Sequence, residues 1–154
     1  MKISLLTIGG FKSAELERLV AHYLKLAGKF AQAEHVELAI ARNLPEKQAQ
    51  DQALLKWLER RGPRVFLAIL DERGRSFTSR EFATRLEKII GGSHTDLAIA
   101  VGGAHGYGDE LKARAQLLLS LSPLTMAHEL AAAVAAEQVF RALAILNNHP
   151  YHND

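Results

Sequence analysis

Apolar residues recur along this chain with two different periods, and the switches between those periods mark out its elements. Residues Lys2–Ile8 form a short apolar segment stopped by Gly9-Gly10, the pattern of a first strand. Ser13 stands in a capping position ahead of Leu16, Leu19, Val20, Tyr23, Leu24 and Ala27, which share one helical face up to Gly28. Residues 36–40 read as a second strand. Pro45 precedes a helix over residues 46–61 with Ala53, Leu54, Trp57 and Leu58 as its inner stripe, and Gly62-Pro63 ends it. Residues 64–70 predict a third strand, apolar on both faces, followed by a turn at Asp71-Glu72-Arg73-Gly74.

Thr78 and Glu81 have the spacing of a capping box, in which hydroxyl and carboxylate each bond the other residue's amide. The helix they open carries Phe82, Leu86, Ile89 and Ile90 on one face and stops at Gly91-Gly92. Residues 97–101 are apolar at every position, a fourth strand, and run into a loop with Gly102, Gly103, Gly106 and Gly108. A short helix is expected from Asp109 or Glu110, and residues 117–122 are a candidate fifth strand that Pro123 bars from continuing inside a sheet. The last helix, over residues 127–146, is apolar around most of its circumference, interrupted by Glu129, Glu137, Gln138 and Arg141.

Strands without a polar face, alternating with helices, are the signature of an α/β fold with a mostly parallel sheet covered on both sides. About five strands are expected, in a single domain over residues 1–154, with 147–154 as a polar, proline-broken tail. A helix apolar nearly all round must be covered on more than one side, so the last helix predicts a symmetric partner, with a buried core helix in a monomer as the alternative. Ligands of such sheets bind beyond the carboxyl ends of the strands. The loop at Gly102 and Gly103 is therefore the best site candidate, against the plainer possibility of a tight turn with nothing bound.

Composition narrows the chemistry. The chain has 154 residues, 48% hydrophobic and 23% charged, with a formal charge of +2. No apolar run approaches a membrane span of about 20 residues, and the start lacks the pattern of a secretory signal, which suits a cytoplasmic protein. There is no cysteine, so thiolate metal sites and Cys nucleophiles are excluded. His149 and His152 straddle Pro150 and share no helical face, and no metal site is expected. The glycine spacing is neither a dinucleotide fingerprint nor a P-loop. Arg73, Arg75, Arg80, Arg85 and Lys88, and separately Arg60, Arg61 and Arg64, are either solvated, salt-bridged faces or phosphate contacts.

Four segments, V-G-G-A-H-G-Y-G at 101–108, S-L-S-P-L-T-M-A-H at 120–128, E-Q-V-F-R-A at 137–142 and N-H-P-Y-H at 148–152, stand in order with L-D-E-R-G-R-S-F-T-S-R-E-F-A at 70–83. Together they resemble the RlmH family of ribosomal large-subunit methyltransferases, small SPOUT-class enzymes. The resemblance implies a deep C-terminal trefoil knot, a homodimer, S-adenosyl-L-methionine as cofactor, and N3-methylation of a pseudouridine in 23S rRNA within the ribosome. It places cofactor contacts at Leu70, Gly102 and Gly103, and at Leu121, Ser122, Pro123, Leu124, Thr125 and Met126. It places Arg141, His128, Tyr151 and His152 at the substrate site, the last two on a tail reaching toward the partner. A valine at Gly103 is expected to abolish cofactor binding by entering the ligand's space. The family usually has proline at Ala127, arginine at Ala132, tyrosine at Phe140, glycine at Asn148 and a basic residue at Asn153. These departures leave open a non-catalytic SPOUT-like homodimer that binds cofactor or RNA, beside a plain nucleotide-binding module.

Overall fold

A computed structural model describes residues 1–153, and among these are five strands and five helices in alternation. They are β1 (Lys2–Ile8), α1 (Ala14–Ala27), β2 (Gln32–Leu38), α2 (Glu46–Arg61), β3 (Val65–Arg75), α3 (Ser79–Ile90), β4 (Asp96–Ala100), α4 (Asp109–Arg114), β5 (Leu117–Leu119) and α5 (His128–Leu146). The strands form one sheet in the order β2-β1-β4-β3-β5. Every pairing is parallel. Alternation along the strands sends residues to opposite faces. Leu97 and Ile99 join a core with α1, α3 and α5, while Ala98 and Ala100 face a smaller one under α2 and α4.

The helix boundaries follow local chemistry. The Ser13 hydroxyl accepts from the Leu16 amide at 3.3 Å. The capping box at α3 forms in both directions, Glu81 amide to Thr78 hydroxyl and Thr78 amide to Glu81 carboxylate. Its buried face is Phe82, Ala83, Leu86 and Ile89, whereas Ile90 is exposed.

Three expectations are corrected. The second strand lies at residues 32–38, not 36–40, because it is a sheet edge: Gln32, Glu34 and Glu37 can pair their backbones with β1 while the side chains of Gln32 and Glu37 stay in water and that of Glu34 pairs with Lys2 and Arg61. The segment Asp71-Glu72-Arg73-Gly74 is an irregularity inside β3 rather than its end, since Leu70 and Arg75 both pair with Leu119. Gly74 permits it: a Cβ there would sit 2.5 Å from the Leu118 carbonyl oxygen. The fifth strand covers only residues 117–119, because from Ser120 onward the chain turns, with the Ser122 hydroxyl accepting from the Leu124 amide at 3.0 Å.

The last helix also changes an inference. It packs against α1, α3 and β1, which bury Ala132, Ala133, Ala135, Ala136, Val139, Phe140, Ala142, Leu143 and Ala144. Alanine on several faces lets neighbouring helices approach closely while covering it within the chain. Its apolarity therefore does not by itself call for a second copy. No described helix is long and apolar enough to cross a membrane.

Candidate functional site

The irregular part of β3 and the carboxyl ends of β4 and β5 open into one cleft of about 760 Å³. Leu70, Gly102, Gly103, Leu121, Ser122, Leu124, Thr125 and Met126 line it; Pro123, exposed, does not. Eight of the nine positions expected to touch a cofactor thus meet around a single space. They meet because parallel strands end on the same side, so loops far apart in sequence become neighbours.

Two polar links tie the walls together. The Thr125 hydroxyl donates to the Glu72 carboxylate at 2.6 Å, joining the loop before α5 to the irregular part of β3. Lys112 of α4 pairs with Asp71. Hydrogen bonding from that ammonium, then from the Arg73 amide, holds the Asp71 carboxyl below its ordinary range. Arg73, Lys47 and His105 also reach the rim.

The glycine loop is held from behind by α2. The Gly103 amide donates to Gln50 Oε1 at 3.0 Å, and the Gly108 amide to the Asp51 carboxylate at 2.9 Å. Gly106 has a φ of +63°, which favours glycine. Tyr107 is wholly buried beneath the loop, and burial, then the Asp51 charge, pushes its hydroxyl pKa up. A side chain at Gly103 would first meet Gln50 Nε2 at 2.6 Å and Glu46 at 3.0 Å. Gly103→Val therefore meets α2 as well as any ligand in the cleft. Neither Gln50 nor Asp51 could be found from sequence, because each lies more than fifty positions from the glycine it binds.

The four substrate-site candidates do not come together. His128, at the first turn of α5, is exposed at the cleft rim. Arg141 is thirteen residues further along the same helix, about 20 Å away at 1.5 Å per residue. There it forms its own cluster: Arg141 binds the Glu137 carboxylate and lies 3.1 Å from His152 Nδ1. The Tyr151 hydroxyl donates to Glu137 at 2.9 Å, and the Arg141 guanidinium sits 4.8 Å from the Tyr151 ring centre. Hydrogen bonding to Glu137 raises the Arg141 pKa, and burial, then Tyr23 and Glu137, raises that of Tyr151. At neutral pH Tyr151 is thus a hydrogen-bond donor rather than a base. The tail folds back over α5 by way of Asn148, the one non-glycine residue with positive φ (54°) among those described. Asparagine tolerates that conformation better than most residues.

The departures from the family pattern are placed as well. Ala132 has no exposed surface, and Phe140 is buried between Tyr23, Phe30 and Tyr151. Within the chain, both are core positions. The basic residues divide: Arg61 pairs with Glu34, and Arg75 and Arg85 lie over Phe77 and Phe66. No group of three or more potential metal ligands occurs among the described residues.

A family model described as "Predicted SPOUT methyltransferase" matches residues 1–152. The chain is 35% identical over 158 residues to "Ribosomal RNA large subunit methyltransferase H" of Allorhizobium ampelinum, covering 99% of each chain. Its identity to the protein of the same name from Laribacter hongkongensis is 37% over 165 residues, covering 100% of each. A solved structure, that of "a probable methylase family protein" from Haemophilus influenzae, superposes with a TM-score of 0.55 at 15% identity, covering 99% of this chain and 70% of that one. At that identity the likeness speaks for the fold alone.

Proposed function

The chain belongs to the SPOUT methyltransferases, in the family of the ribosomal RNA large subunit methyltransferase H, and from that premise we propose that it methylates 23S rRNA. In this reading the donor is S-adenosyl-L-methionine, the acceptor is N3 of a pseudouridine in the assembled ribosome, and the reaction takes place in the cytoplasm. The observation that carries it is the cleft at the irregular part of β3 and the ends of β4 and β5, where eight residues expected to contact a cofactor line one space.

The cleft suits such a donor. Leu70, Val101, Leu119 and Leu121 offer apolar surface for a purine, while the loops at 102–106 and 121–126 offer backbone groups for its polar edges. Bound there, S-adenosyl-L-methionine supplies a methyl group already activated by its sulfonium. The protein's task is then alignment, because orienting two reactants removes most of the entropic barrier between them. The acceptor nitrogen loses its proton to solvent before attack, and a nearby cation or donor favours that anion. The N–C bond then forms as the sulfonium's bond to the methyl carbon breaks, leaving a neutral thioether. Arg141, permanently charged, and Tyr151, held protonated, suit that role; neither suits the role of base. His128 and His152 complete the proposed substrate site.

These residues can act together only if the tail cluster of one copy reaches the cleft of another, because within one chain about 20 Å separates them. The reading therefore includes a homodimer, and with it one domain over residues 1–154 and the knotted C-terminal crossing of this enzyme class; Asp154 lies outside the described residues. Methyl transfer from labelled donor to whole ribosomes, isolated subunits and free rRNA tests it. Transfer to a pseudouridine of whole ribosomes is expected. Absence of transfer to all three substrates, despite donor binding, would leave the non-catalytic alternative.

A further inference from the structure

We propose that Gln50 is a positioning residue for the methyl donor, fixing the Gly102–Gly103 backbone as one wall of the cleft without touching the donor itself. The inference rests on the donor-binding reading above and adds to it the element that shapes the site.

Gln50 has no exposed surface, yet it lies on a helix face where an apolar residue would pack at less cost. Both ends of its amide are used. Oε1 accepts from the Gly103 amide at 3.0 Å, and Nε2 donates to Glu46 Oε1 at 3.1 Å. The next residue, Asp51, accepts from the Gly108 amide through both carboxylate oxygens, at 2.9 and 3.2 Å. Two consecutive residues of α2 thus hold the glycine loop at both of its ends. Between them the loop has one backbone bond of its own, from the Gly106 amide to the Gly103 carbonyl at 3.0 Å.

A Cβ at Gly103 would meet the end of the Gln50 side chain, and one at Gly108 the end of Asp51. The loop therefore lies directly on α2, and its glycines are explained by that approach as much as by any ligand. Gln50 is absent from the residues lining the cleft, whereas Gly103 is present, so its influence on a ligand passes through the loop. If the bond to Gly103 is lost, a half-buried amide loses its partner and the wall is free to shift.

Gln50→Leu removes both bonds, Gln50→Glu keeps the acceptor but sets a carboxylate against Glu46, and the double variant Glu46→Gln, Gln50→Glu restores a donor at 46 for an acceptor at 50. Calorimetry with S-adenosyl-L-methionine and steady-state methyl transfer are the readouts. Gln50→Leu should raise Kd and the KM for the donor about 5- to 100-fold, leave kcat at saturating donor within about twofold, and speed amide exchange at residues 102–108. Gln50→Glu should weaken binding as well, and the double variant should recover most of the loss. Wild-type Kd and KM in Gln50→Leu would overturn the proposal. So would a double variant no better than Gln50→Glu, a comparison that holds even if Gln50→Leu does not fold. Failure of the unmodified chain to bind the donor would overturn the donor reading, and this inference with it.

Discussion

The two ends of α5 differ in almost every respect that bears on chemistry. At its first turn the helix is exposed, faces the cleft with His128, and uses Glu129 to accept from the Lys12 and Ser13 amides at 2.7 and 3.0 Å. Near its last turns, Glu137 and Arg141 are half-buried under a folded-back tail and satisfied by Tyr151 and His152. One end is shaped as a space and the other is already filled by its own side chains. Residues assigned to one site from sequence motifs thus belong, within the chain, to two places, and the active arrangement in the proposed reading is a property of the pair of subunits.

The most severe way to break this division is Arg141→Ala. It should lower methyl transfer by about 10²–10³-fold, the usual loss on removing a charge-stabilising donor, while donor Kd measured by calorimetry stays within about twofold. Mixing Arg141→Ala with His128→Ala chains should restore part of the activity through hybrid dimers. No recovery would mean that the two ends do not act across subunits. At the cleft end, Gly103→Val should weaken donor binding about tenfold or more, through overpacking against Gln50, with unchanged amide exchange at residues 149–153.

Glu137→Gln is milder and acts at the other end. The tail loses a charge-assisted partner for Tyr151 and Arg141, so its amides should exchange faster and the KM for ribosomes should rise about three- to tenfold, with donor affinity unaltered. The smallest effect concerns pH. Asp71 has its pKa lowered in the folded protein, chiefly by Lys112. Its contribution to stability is complete above the unfolded value near 3.8 and is lost as pH falls through the lower folded value. Thermal midpoints of Asp71→Asn should therefore fall less steeply than those of the unmodified chain between about pH 5 and pH 2.

How far these features could be read from sequence depended on the range of the interactions behind them. The limits of α2 were legible because Pro45 and Gly62-Pro63 act on their own neighbours, and the α3 cap because Thr78 and Glu81 are three residues apart. The cleft was legible at coarser grain: strand ends in a parallel sheet converge whatever the side chains. Hidden were features decided by partners far along the chain. The edge position of β2 made polar residues acceptable in a strand, pairing with Leu119 carried β3 past a segment that reads as a turn, and the covering of α5 by α1 and α3 removed the need for a partner on that ground. The hold of Gln50 on Gly103 spans 53 positions and has no local trace.

The alanine-lined packing of α5 has a mechanical corollary. Small side chains leave the helix little slack against α1 and α3, so over its 19 residues, about 28 Å, it holds the cleft border at His128 and the tail cluster at Arg141 a set distance apart within one chain. In the proposed reading, that separation is closed only by the neighbouring subunit, whose tail cluster reaches the cleft that its own chain cannot.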